Sequence, residues 1–507
     1  MRGVPGRVWA LVLASGVLQV LLFPIAGPVP VWRAALSWVA LAPLLVALLG
    51  GKPLRVRDFA LAGYACGILW YLGSCYWVMP TMYLYGGMSK PAGFGILLLF
   101  ALYLGLYHAL FGALLGVLRR FLSPENTLLA SPFVWVAVEL ARARITSFPW
   151  DQLGIAQVDN AVLTSLAPWG GVYAISFVLV AVNVALAWAW MEKKWRIAVG
   201  VLGVAAVIQV AGMFRNTPVA THEVATLVQP NLSESQRYGA ASLLQELVPL
   251  SQQGSSAGSK IILWPESPAP FATSDKNFLQ AIAALASATH SAAIIGSEGV
   301  EVDGLPPRGY KAYNSAALFA ADGSYRGRYD KIHLVPFGEY LPFASIFQFA
   351  GGLVAEVGES DRGHLRTVFR PDGHGYGIFI CYESIFADEV RQFVKNGADV
   401  LVNISNDGWY GDTSAPWQHL NMARMRAIEN HRWVLRDTNN GMTGAIDPDG
   451  NLRQHAERHI RTAIAVGFGY SDQLTFYTKY GDVFAYGCSL LVIGVLLWGV
   501  NKQQVAS

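Results

Sequence analysis

Tyr376-Gly377-Ile378-Phe379-Ile380-Cys381-Tyr382-Glu383-Ser384 is the stretch around which the chain is organised. Its apolar run is a short buried strand, and Cys381 follows it at a sharp turn. Residues 383–394 then carry apolar side chains at helical spacing. A nucleophile at a strand-to-helix turn stands at the carboxyl end of a sheet, beside backbone N–H groups that can stabilise an oxyanion. Two other stretches have the same form: Lys260-Ile261-Ile262-Leu263-Trp264-Pro265-Glu266-Ser267, and Tyr329-Asp330-Lys331-Ile332-His333-Leu334-Val335-Pro336-Phe337-Gly338-Glu339-Tyr340. Together they offer a carboxylate, an amine and a thiol, and one active site is expected from the three.

Working outward, the composition is that of a membrane protein. Hydrophobic residues make up 53% of the 507 and charged residues 14%, against roughly 25% charged in a soluble domain. The net charge of +3 gives no argument for a nucleic-acid partner. Six of the 34 acids lie in residues 1–216 and none in 483–507. The chain therefore divides into a membrane part (1–216), a soluble part (217–482) and a last span with a short tail (483–507).

A span needs about 17–25 mostly apolar residues. Residues 8–26, 31–49, 59–78, 92–118, 127–141, 161–191 and 197–214 qualify, and 483–500 is the eighth; 127–141 is short and carries Glu139. With a cytoplasmic N-terminus, the inner segments hold Arg2, Arg7, Lys52, Arg55, Arg57, Arg119, Arg120, Lys193, Lys194, Arg196 and Lys502. The outer ones before residue 217 hold fewer, Arg33, Lys90, Arg142 and Arg144 with Arg215 at the end of the seventh span. Basic residues accumulate inside, so residues 217–482 are expected on the outer face. The outer loops 79–91 and 141–154 are rich in aromatics, which suits anchoring at headgroup depth or contact with the soluble part and a lipid headgroup.

The soluble part alternates strand and helix signals. Strands are expected at 224–228, 261–264, 292–295, 315–318, 376–380, 400–404, 434–437 and 445–446. Helices are expected at 240–250, 277–289, 383–394 and 417–431, with turns at Asp322-Gly323 and Pro448-Asp449-Gly450. The pattern is a layered α/β domain.

Of the four cysteines, Cys66, Cys75 and Cys488 fall in spans and read as small packing residues. Cys381 is the only one in the soluble part. A thiol with a pKa near 8.5 needs a neighbouring cation or base to act as a nucleophile at neutral pH. Lys331 can supply the charge, and Glu266 can take the proton and return it to a leaving group. His333 would face away from Lys331 in an extended chain, so a Cys–His dyad is not favoured. No metal-ligand spacing such as HExxH or CxxC is present, and no cofactor is implied.

The segments WPES, YDKIHLVPFGEYLP and GIFICYES resemble the nitrilase superfamily, which uses a Glu-Lys-Cys triad on a four-layer αββα sandwich. With the preceding and following spans, and with Val228-Gln229-Pro230-Asn231 and Ile404-Ser405-Asn406-Asp407-Gly408-Trp409-Tyr410, the chain resembles the integral-membrane branch, the apolipoprotein N-acyltransferase family. The resemblance implies Glu266 as general base, Lys331 as electrostatic stabiliser and Cys381 as nucleophile. It implies supporting or substrate-binding roles for Glu339, Tyr382, Glu383, Asn231 and Trp409. Tyr238 stands where the family pattern has Trp. It further implies a bacterial inner-membrane enzyme with its catalytic domain in the periplasm. That enzyme moves an acyl chain from a phospholipid, such as phosphatidylethanolamine, through a Cys381 thioester to the α-amino group of a diacylglyceryl-cysteine on an apolipoprotein.

The apolar residues Phe337, Leu341, Pro342, Phe343, Ile346 and Phe347 suit a lid over such a thioester, or rest in the membrane interface. Two rivals are a membrane-tethered amidase acting on a small amide and a transporter or scaffold with a dead domain. One span would serve the first, and ionisable residues within spans, which transporters use, are nearly absent.

Overall fold

The structure, a computed structural model, describes residues 5–214, 219–236, 238–255, 258–266, 271–304, 309–336, 338–340 and 360–506. The expected lid residues Phe337, Leu341, Pro342, Phe343, Ile346 and Phe347, and the boundary expected at 216/217, lie outside these.

Two six-stranded sheets form the α/β part. We number the strands β1 (Glu223–Gln229), β2 (Ile261–Trp264), β3 (Ala292–Val302), β4 (Tyr310–Phe319), β5 (Tyr325–Asp330), β6 (Val368–Phe369), β7 (Tyr376–Ile380), β8 (Val400–Ser405), β9 (Val434–Thr438), β10 (Gly444–Ile446), β11 (Leu452–His455) and β12 (Thr462–Phe468). The orders are β12-β1-β2-β3-β4-β5 and β11-β10-β9-β8-β7-β6. Alternation along β2 shows the layering. Ile261 and Leu263 join Ile378, Ile380, Val400 and Val402 in the core between the sheets. Ile262 and Trp264 face the other way, onto Leu243 and Leu247 of helix Ala240–Gly254 and Phe278 and Ile282 of helix Lys276–Thr289. On the far side of the second sheet, Val390 and Phe393 of helix Ala387–Lys395 and Ala423 and Ala427 of helix Ala415–Asn430 close the fourth layer. The result is an αββα sandwich.

Strand direction places the chemistry. β1, β2 and β3 run parallel, as do β7, β8 and β9. β5 is antiparallel to β4, which is antiparallel to β3, so β5 ends on the same edge as β2. Glu266, Lys331, Cys381, Asn406 and Asn439 all follow the carboxyl ends of strands.

The expectation of eight spans is not met by length and apolarity. Among the described residues five helical segments qualify: Val31–Leu49, Lys90–Leu118, Ala167–Met191, Trp195–Met213 and Val483–Lys502. A sixth arises if the pair Val56–Ser74 and Val78–Leu84, bent by 49°, is one span. Gly6–Leu21 is a 16-residue helix, about 24 Å at 1.5 Å per residue, and falls short of a hydrocarbon core of roughly 30 Å. Pro124–Ala141 carries Glu125, an internal Pro132 and Glu139, and these polar and ring residues dilute its apolar run.

The sandwich is fastened to the helices by a few polar contacts. Gln418 accepts from the indole N–H groups of Trp77 (3.1 Å) and Trp150 (2.7 Å) and donates to the carbonyls of Pro24 (3.1 Å) and Ser74 (2.9 Å). Arg144 pairs with Asp388 (2.9 Å) and Asp482 (2.5 Å). The Thr81 hydroxyl donates to the Trp409 carbonyl (3.3 Å), so segments 79–91 and 141–154 both meet the sandwich.

Candidate active site

Cys381 follows β7 at φ +47°, a left-handed conformation that costs a non-glycine residue energy and persists only where the surroundings impose it. It opens a 3-10 turn, Cys381–Ile385, so the helix expected from residue 383 begins only at Ala387. Glu383 shows what imposes the turn. Its fully buried carboxylate accepts from the backbone N–H of Ile380 (2.6 Å), Ile332 (2.7 Å) and His333 (3.0 Å), and from the Tyr329 hydroxyl (2.9 Å). One side chain thereby ties the Cys381 turn to the segment that carries Lys331. Burial pushes the Glu383 carboxyl up, while the backbone N–H groups and Lys331 oppose the rise.

Lys331 is 1% exposed. Its ammonium donates to Glu266 Oε1 (2.8 Å) and Glu339 Oε1 (3.1 Å). Asn314 Nδ2 donates to the same two oxygens, at 2.6 Å each, and Glu266 Oε2 accepts from the Asn406 backbone N–H (3.0 Å). Glu339 also accepts from Val335 N–H (2.8 Å), which folds the loop after Lys331 back on itself. Burial alone would lower the Lys331 pKa, but the charges of Glu266, Glu339 and Cys381 raise it well above the usual value. The amine is a fixed cation.

The Cys381 thiol is pushed up by burial and by the Glu266 charge, against Lys331. Beneath the turn, His419 Nε2 meets the Cys381 carbonyl oxygen (3.0 Å), and its Nδ1 meets Asp407 (2.9 Å). Arg436 bonds Asp407 Oδ2 (2.8 Å) and Asn403. Although burial acts to raise it, Arg436 and His419 hold the Asp407 carboxyl well below the usual carboxylate range.

The remaining expected site residues are dispersed. Tyr382 donates to the Ser147 carbonyl (3.1 Å) and packs among the helices of the membrane part, so it braces the turn. Asn231, at φ +50°, donates its side-chain amide to the His459 carbonyl (2.7 Å) and its backbone N–H to the Asn439 carbonyl (2.9 Å). Tyr238 donates to Gln236 (2.8 Å) and accepts from Ser233 N–H (3.1 Å), a local closure. Trp409 is 47% exposed and meets Tyr85 edge-on at 5.5 Å, between the two parts. His333 bonds Glu389 (3.1 Å) and stacks on Phe386. Asn314, His419, Asp407 and Arg436 were not anticipated. A polar Asn inside the β4 run and the Asn406-Asp407-Gly408 turn signal at the end of β8 were the available hints. Among the described residues no group of three or more His, Cys, Asp or Glu is placed to hold a metal ion.

Comparison with known proteins bears on both parts. Residues 15–185 match the apolipoprotein N-acyltransferase N-terminal domain, and residues 224–466 match the carbon-nitrogen hydrolase family. The apolipoprotein N-acyltransferase of Geobacter metallireducens is 36% identical over 507 residues, covering 96% of this chain and 94% of that protein. That of Methylococcus capsulatus is 32% identical, covering 94% and 96%. Among solved structures, an amidase from Nesterenkonia sp. is 16% identical, covers 54% of this chain and 98% of its own, and has a TM-score of 0.39.

Proposed function

The chain belongs to the apolipoprotein N-acyltransferase family, and on that footing we propose how its residues carry out the acylation of apolipoprotein amino termini. The supporting observation is the buried set of Glu266, Lys331 and Cys381, which follow the carboxyl ends of β2 and β5 in one sheet and of β7 in the other, in a sandwich fastened by Gln418 to apolar helices. The Cys381 sulfur attacks the ester carbonyl carbon of a phospholipid, phosphatidylethanolamine in this reading. Its proton passes to Glu266 and then to the departing glycerol oxygen, so a lysophospholipid leaves and an acyl-thioester remains. Lys331 faces the negative charge that develops on the carbonyl oxygen. The acceptor amine then attacks the thioester, the C–S bond breaks, and Glu266 relays a proton from nitrogen to sulfur.

The division into a membrane part (1–216), a catalytic part (217–482) and a final span (483–507) belongs to the same reading. Gly6–Leu21 and Pro124–Ala141 then count as spans packed within the bundle. The catalytic part faces the periplasm across a bacterial inner membrane. Reporter fusions at residues 54 and 194 should then report cytoplasm, and those at 88 and 300 the outer face. A cytoplasmic signal at 300 overturns the orientation.

Intact-protein mass spectrometry after incubation with phospholipid tests the chemistry. One acyl chain should appear on Cys381, with about one lysophospholipid per enzyme before the reaction stalls, as one nucleophile per site requires. Continuous release of free fatty acid without acceptor would mark a hydrolase instead, the amidase-like alternative.

A further inference from the structure

Glu266 and Glu339 share the Lys331 ammonium, but a third carboxylate at this edge has no such partner. Glu234 lies in the turn after β1. Its Oε1 accepts from Asn439 Nδ2 (2.9 Å), and the same amide nitrogen donates to Asn406 Oδ1 (3.2 Å). Asn406 in turn donates its backbone N–H to Glu266 Oε2 (3.0 Å). The Glu234 carboxylate is thus one residue removed from the proposed base. It also lies close over Gly408, where an added Cβ would meet Oε1. On its outer side stand Trp409 and Tyr85, the edge-on pair between sandwich and membrane helices, and Glu234 lies within electrostatic reach of the Tyr85 hydroxyl. No Lys, Arg or His among the described residues pairs with it; the groups acting on it are Asn406, Asn439 and the like charge of Glu266.

A half-buried carboxylate held by amides, beside a base and without a counter-ion, is a seat for a cation that arrives from outside. We propose that Glu234 binds a primary ammonium group of a substrate, placing it between the Tyr85–Trp409 pair and Glu266. The inference rests on the acyl-transfer reading, since both lipid-anchored substrates of that reaction carry a primary amine. Position favours the acceptor: its nitrogen must approach the thioester and lose protons near Glu266. Supporting this, burial, helped by the Glu266 charge and opposed by the Asn406 and Asn439 hydrogen bonds, lifts the Glu234 carboxyl to about 7. That is close to the range of an α-amino group, roughly 7.7–8.0, so a proton is shared between them at little cost.

The test uses full-length enzyme in lipid nanodiscs, wild type and Glu234→Gln, a near-isosteric change, with Glu234→Asp as the conservative control. Lysophospholipid burst is measured with phosphatidylethanolamine and with phosphatidylglycerol, and the KM of a diacylglyceryl-cysteine peptide is measured in the full reaction. Loss of a charge-assisted contact should raise the peptide KM about ten-fold in Glu234→Gln, with kcat and both bursts nearly kept and Glu234→Asp partly restored. The wild-type peptide KM should also fall as pH rises through 7, as the carboxyl ionises, and this dependence should be missing in Glu234→Gln. A burst slowed only with phosphatidylethanolamine would keep the ammonium seat but assign it to the donor headgroup. Equal slowing with both donors, or an unchanged peptide KM together with unchanged bursts, overturns the proposal. A wild-type enzyme with no burst overturns the acyl-transfer reading itself, separately from Glu234.

Discussion

The Cys381 turn is gripped from two sides by different chemistry. On one side Glu383, fully buried, gathers three backbone N–H groups and a phenol from within the sandwich. On the other, His419 holds the Cys381 carbonyl while its neighbour Gln418 and nearby Tyr382 reach into the membrane helices. The first grip is a charge with every contact inside one domain. The second reaches across two domains at Gln418 and Tyr382 through neutral amide, phenol and indole groups, with the Arg144 ion pairs to Asp388 and Asp482 standing beside them. A charged anchor is strong only where its surroundings are fixed. Neutral hydrogen bonds tolerate a boundary between water and lipid, because breaking one strands no ion.

The largest effect should come from removing what both grips serve. Cys381→Ala should abolish acyl transfer and Cys381→Ser nearly so, with membrane insertion and circular dichroism unchanged. Substantial turnover by Cys381→Ala would remove the reason for the turn. Next, Glu266→Gln and Lys331→Met should each slow single-turnover lysophospholipid release by about 10³-fold or more, the scale of lost acid–base and electrostatic catalysis. Acylation at the wild-type rate in either variant would refute its assigned role.

The comparison itself is sharpened by a matched pair. Glu383→Gln presents an amide NH₂ to converging N–H donors and leaves at least one buried N–H unpaired, at about 1–3 kcal/mol each. It should lower thermal stability and acylation about equally in detergent and in nanodiscs. Gln418→Ala leaves the Trp77 and Trp150 indoles without their acceptor. Its loss should be smaller, about ten-fold at most, and larger in detergent than in nanodiscs, where the bilayer still holds the helices in place. Identical medium dependence of the two variants would show that the turn has one grip and not two.

Much of this was legible in the sequence because motif and strand end coincide. Glu266, Lys331 and Cys381 each follow an apolar run, and a run's end marks the sheet edge whatever the topology. The partners that close the site were not legible. Asn314 sits within Tyr310–Phe319, where a polar residue reads as ordinary alternation, and only the fold brings its amide onto Glu266 and Glu339. His419 and Arg436 reach Asp407 from another helix and another strand, a relation that local spacing does not encode. β5 escaped notice because Tyr-Arg-Gly-Arg-Tyr-Asp is polar, as suits the edge strand of its sheet. The expected spans 8–26 and 127–141 correspond to the helices Gly6–Leu21 and Pro124–Ala141, the first short and the second interrupted by Pro132 and Glu139, features that apolar composition alone does not report.

The first strand of the sandwich pairs with its last: Glu223 lies opposite Phe468, and the register continues to Gln229 and Thr462. During synthesis this pairing sets the order of events. When β1 emerges behind helix Trp195–Met213, the strand that will cover its outer edge is still uncoded peptide, with the whole second sheet to come first. Until Thr462–Phe468 is made, β1 is an open edge with a bare row of N–H and C=O groups beside a membrane. The first sheet is therefore sealed only as the helix Val483–Ala506 is about to leave the ribosome, and closing the domain and inserting that helix become nearly one event.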